Sequence, residues 1–68
     1  MLRAVSIHDL PPVARHLEMA VSACITSGRG EGQWVPVLGF VQTDFGMVFA
    51  TVILDNEAIR IRVEELRA

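Results

Sequence analysis

The chain has few side chains that could do chemistry: two histidines, one cysteine, one tryptophan, six arginines and eight carboxylates. On a helix, His16 and Cys24 stand about 12 Å apart along the axis, at roughly 1.5 Å per residue. That is too far for a thiolate–imidazole pair, which needs hydrogen-bond contact. His8 and His16 miss the i, i+4 spacing of helical zinc ligands. Cys24 lies in an apolar pattern and is expected as a small buried hydrophobe. No nucleophile–base pair or cluster of carboxylates emerges. The sequence therefore assigns no catalytic residue, no cofactor-binding residue and no metal ligand.

Two further motifs resolve into plain local structure. Gly28-Arg29-Gly30-Glu31-Gly32 has the glycine density of a phosphate loop, but such loops need a strand before them and a helix after. Here the expected order is helix first, strand after, so a connecting loop is read. Asp44-Phe45-Gly46 spells the metal-binding tripeptide of protein kinases, yet no catalytic loop or partner lysine accompanies it. It is read as a turn. What remains is surface chemistry. Arg60 and Arg62 alternate on one face of the last strand, where they are either solvated or set to meet carboxylates of a partner. Trp34 either closes one end of the core or anchors a partner. Trp34, Arg60 and Arg62 are therefore the candidate protein-binding residues.

Composition limits what these residues can serve. With 68 residues, 51% of them hydrophobic, there is one small domain with an apolar core. A net charge of −2 and the absence of lysine argue against nonspecific nucleic-acid binding. The longest apolar runs, Val35–Val41 and Met47–Leu54, fall short of the roughly 18 residues that cross a bilayer, so no membrane partner is expected. The first residues carry no continuous apolar core of a signal peptide, and a lone cysteine forms no internal disulfide. A cytoplasmic protein is expected.

The elements that position these residues follow from periodicity. Ser6-Ile7-His8-Asp9 has capping-box spacing, and Pro11 and Pro12 fit the first turn of a helix. Leu10, Val13, Ala14, Leu17, Ala20, Val21, Cys24 and Ile25 recur at helical intervals. The spacing predicts an amphipathic helix ending near Ser27, with Gly28 as its cap. Beyond the glycine loop the period becomes two. Strands are predicted over Gln33–Gln42, Met47–Leu54 and from Ile59 to Val63, joined by turns at Thr43–Gly46 and Asp55–Glu57. Pro36 marks the first of these strands as an edge or a bulge. Leu2–Ile7 adds a short fourth strand. The expected fold is α+β: one helix packed on a three-stranded antiparallel meander centred on Met47–Leu54. The alternative is an SH3-like partial barrel with an N-terminal helix.

Residues 3–17, RAVSIHDLPPVARHL, resemble the opening strand and helix of GNAT-type acetyltransferases. The glycine-rich pyrophosphate loop of that family has no counterpart here, so the resemblance implies a local strand–helix unit and no activity. The C-terminal half is similar in strand spacing to small SH3-like barrels.

Two functions are expected in order. The first is a small non-enzymatic protein-binding module, an inhibitor or adaptor of the kind that phages and mobile elements encode. The second is an oligomeric ligand-binding protein or enzyme whose pocket forms between subunits, with His8, His16 and Arg29 as its polar groups. Both faces of Met47–Leu54 are apolar, and one helix covers only one of them. About 500 Å² of uncovered apolar surface would forgo on the order of 12 kcal/mol of gross burial. A twofold homodimer with Val48, Val52 and Leu54 in its interface is therefore expected.

Overall fold

Two consecutive prolines decide the first third of the chain. A residue before proline is pushed out of the helical region, and Leu10 and Pro11 are both extended, at φ −60°, ψ 132° and φ −67°, ψ 159°. In a computed structural model describing residues 1–68, no α-helix forms at all. Ser6 does cap, accepting from the His8 backbone N–H at 3.3 Å, but what it caps is a single 3-10 turn, Ile7–Asp9. A second 3-10 segment, Pro12–Leu17, buries Ala14 and Leu17. The chain then leaves the helical region. Val21, Ser22, Cys24, Ile25 and Thr26 are weak helix formers, and the β-branched members favour a strand.

The α+β expectation is thus corrected: the protein is nearly all antiparallel sheet. Its six strands are β1 (Arg3–Val5), β2 (Ser22–Ile25), β3 (Trp34–Gln42), β4 (Val48–Leu54), β5 (Glu57–Arg62) and β6 (Leu66–Arg67), with a last 3-10 turn at Val63–Glu65. The N-terminal helix of the partial-barrel alternative is absent for the same reason, as is the helix implied by the acetyltransferase resemblance. Cys24 and Ile25, expected on a helical stripe, lie in β2, which pairs with β3 on one side and β6 on the other. Val21, from the same expected stripe, is 85% exposed.

The strand order is β5-β4-β3-β2-β6, with β1 also on β3. The centre is therefore β3, not the Met47–Leu54 strand. Pro36 sits inside this central strand at no cost to the ladder. The neighbouring Val37 N–H donates to Val21 O at 3.0 Å, so the Pro36 nitrogen faces the opposite edge, where pairing with β4 begins only at Val37. Between Val37 and Gly39 the register shifts, setting Leu38 and Gly39 together against Thr51. Such a bulge bends the strand, and lets the two halves of β3 serve different neighbours.

Two tight turns hold β3, β4 and β5 in line. In the first, Gly46 N–H donates to Thr43 O at 3.0 Å with Gly46 at φ 84°, a conformation that glycine adopts freely. In the second, only Asp55 and Asn56 separate the Leu54–Glu57 pair, at φ 53° and 62°. Both values belong to a type I′ turn, in which Asp and Asn are tolerated.

One cluster forms the core. It joins Leu10, Ala14 and Leu17 to Ala23, Ile25, Val35, Phe40, Ile61, Val63 and Leu66, around the inward face of β4: Val48, Ala50, Val52 and Leu54. Burial alternates along β4 without a break. Val48, Val52 and Leu54 are 2%, 0% and 2% exposed in the single chain. The three residues expected in a dimer interface are therefore inside one subunit, because the 3-10 segments, β2 and β6 cover the face that was expected to stay open.

Candidate protein-interaction surface

The outward face of the sheet is built row by row from the strand registers. Val41, Phe49 and Arg62 stand side by side across β3, β4 and β5. Gly39, Thr51 and Arg60 form the next row. Side chains on one face of a strand recur every second residue, so Arg60 and Arg62 flank the same surface, beside Thr51 and Phe49. Neither arginine forms an ion pair. Arg29 does: it reaches Asp55 at 3.6 Å and Glu57 at 3.3 Å, tying the glycine loop to the β4–β5 turn. Exposed pairs of this kind contribute at most about 1 kcal/mol.

Along β5 lies an open trough of about 310 Å³. Its walls include Ile59, Arg60, Ile61 and Arg62 on one side and Ser27, Gly28 and Arg29 on the other, with Phe49 and Glu65. Consecutive strand residues point to opposite faces, so a space touching four in a row runs along the backbone edge of the strand. That edge is free. The sole strand paired with β5 is β4, and no turn, loop or side-chain hydrogen bond reaches residues 58–62.

Trp34 lies elsewhere. It pairs with Cys24, which pairs in turn with Arg67, and the Arg67 guanidinium carbon sits 5.1 Å from the centroid of the indole ring. The indole is 54% exposed and lies outside the core cluster. Pro36 and Leu38 follow it at alternate positions, both exposed. Trp34 is five residues along β3 from the row that holds Arg60. The structure thus brings Arg60 and Arg62 together and separates Trp34 from them. Leu38 and Phe49 went unassigned from the sequence, and Arg29 was expected only as a polar group of a pocket between subunits, not beside Arg60 and Arg62. Nothing local marks Arg29, whose place beside β5 arises from the fold of the 26–32 loop.

The other reactive side chains are occupied or scattered. His16 Nε2 lies 3.2 Å from Val63 O and 3.1 Å from Leu66 O. Both neighbours are acceptors, so Nε2 carries the hydrogen and donates to them. Cys24 is buried, its Sγ 3.7 Å from Ile25 O. His8 and Arg29 line different hollows. The Asp44-Phe45-Gly46 tripeptide forms the β3–β4 turn, where Asp44 pairs with the N-terminal amine at 2.9 Å. No three histidine, cysteine or carboxylate side chains come together as metal ligands. No helix is long and apolar enough to cross a membrane. No family model matches the chain, and no curated protein or solved structure is detectably similar to it.

Proposed function

We propose that the chain is a small non-enzymatic protein-binding module, acting in the cytoplasm as an inhibitor or adaptor through the surface around Arg60 and Arg62. The observation that carries this reading is that these two arginines share one sheet face and have no carboxylate partner, in a chain with eight acids. Arginine forms bidentate bonds to carboxylates and is enriched at the energetic centres of interfaces. Phe49 and Val41, beside Arg62 in the same row, add apolar area to it. The single buried cysteine accords with a reducing compartment.

Purification of the tagged chain from its source cell, beside an Arg60→Glu/Arg62→Glu variant, tests the proposal. A stoichiometric partner is expected with the unaltered chain and lost with the variant, while the variant's melting temperature stays within a few degrees. Equal recovery by both chains, or no stoichiometric partner with either, contradicts the reading.

A further inference from the structure

The two-residue turn at Asp55–Asn56 determines which backbone groups of β5 are free. In a hairpin of this type, the residues flanking the turn exchange both of their hydrogen bonds, and bonded pairs then alternate along the ladder. Leu54–Glu57, Val52–Ile59 and Ala50–Ile61 are therefore bonded pairs, by the observed register. Glu57, Ile59 and Ile61 direct their N–H and C=O groups to β4. Ala58, Arg60 and Arg62 direct theirs outward, and Arg60 and Arg62 line the trough.

From this we infer that β5 accepts an extended acidic segment of a partner protein as a seventh strand. The inference rests on the protein-binding reading and specifies its mode. Strand addition takes its affinity from backbone bonds and its selectivity from alternate side chains. Here the two rules coincide. The residues that offer free backbone groups, Arg60 and Arg62, are those whose side chains lack ionic partners. Residues of the incoming strand opposite them share their face and come within cross-strand contact distance, where opposite charges attract. Residues between these positions share the face of Ile59 and Ile61. The occupant is thus a strand that alternates acidic and apolar residues. The trough lining supports the sign of the charge, with the unpaired Arg60 and Arg62 against one glutamate, Glu65, while Arg29 is already paired with Asp55 and Glu57.

Titration of the isotope-labelled chain with three capped heptapeptides tests this by amide NMR. The first alternates Glu with Val, the second replaces each Glu by Lys, and the third is the acidic peptide N-methylated at its glutamates, whose N–H groups face Arg60 and Arg62 in antiparallel pairing. The acidic peptide is expected to shift the amides of Ala58, Arg60 and Arg62 and to slow their exchange. Its affinity should fall at least tenfold with the lysine peptide, the N-methylated peptide or the Arg60→Glu/Arg62→Glu chain.

Equal binding of the lysine or N-methylated peptide overturns the inference. So do β5 shifts produced equally by a short oligothymidylate, which indicate an anion surface for nucleic acid. Concentration-dependent β5 shifts without peptide overturn it in favour of a second copy of the chain. Silence of β5 toward the acidic peptide, while the partner captured from cells still depends on Arg60 and Arg62, removes strand addition and leaves the protein-binding reading standing.

Discussion

At the scale of single residues, the structure ranks positions that look alike in the sequence. Gly30 and Gly39 are an instructive pair. A Cβ at Gly30 would meet Leu54 Cδ2 at 2.9 Å and Ile25 Cδ1 at 3.0 Å, on a backbone at φ 78°. Gly30→Ala is expected to destabilise the fold by about 1–3 kcal/mol, through strain and displaced core side chains. Gly39, at the bulge, has open space where its Cβ would be, so Gly39→Ala should stay within about 0.5 kcal/mol. Urea denaturation of both variants checks the contrast, and equal midpoints contradict it. His16 offers a second test. Its Nε2–H joins Pro12–Leu17 to the carbonyls of Val63 and Leu66. His16→Ala should cost about 0.5–1.5 kcal/mol, and nitrogen–proton correlation spectra should find the hydrogen on Nε2. A neutral imidazole protonated on Nδ1 contradicts the assigned bond.

At the scale of elements, strands were legible wherever period two and turn chemistry agreed. Val48–Leu54 alternates buried and half-buried side chains throughout, and Asp55-Asn56 supplies the turn that pairs it with β5. The segment from Leu10 to Ser27 was not legible because helical spacing and a short apolar run look the same there. Leu10, Ala14 and Leu17 are buried as a helical stripe requires, yet Leu10 is extended and the other two lie on a 3-10 segment; Ala23, Cys24 and Ile25 are buried in succession as a strand held between two others. The deciding facts are the extended residues before each proline and the need of β6 for a partner, and the second is nonlocal. Arg60 and Arg62 were identifiable as a pair from alternation alone. The place of Arg29 beside them was not, since it depends on a loop closed well before β5 in the chain by the Ile25–Gln33 and Gly32–Ile25 bonds. The element reading predicts a β-type circular dichroism spectrum without a helical double minimum. It also predicts that Leu66→Ala, which empties a site on β6 that is 3% exposed, costs about 2–5 kcal/mol. A helical spectrum contradicts the assignment of β2, and a silent Leu66→Ala contradicts that of β6.

At the scale of the whole molecule, one chain encloses its own core, and folding is expected to proceed without a second copy. Melting temperature should then be independent of protein concentration over a hundredfold range, whereas a rise with concentration indicates that assembly and folding are coupled. Val52→Glu, with its charge in a site of no solvent exposure, should unfold the chain itself rather than divide a dimer. On the outward side of the sheet, Phe49, Thr51 and Ile53 are half-buried. That side carries the arginines, and beside it runs the free edge of β5. A partner protein is proposed to engage this edge. Residue-resolved amide exchange of the chain, free and in the complex isolated from its source cell, tests it most directly. Fast exchange of the outward amides of Ala58, Arg60 and Arg62 is expected in the free chain, and marked slowing of all three in the complex. Unchanged exchange at these three positions, with slowing confined to the region of Trp34 and Leu38, would contradict it.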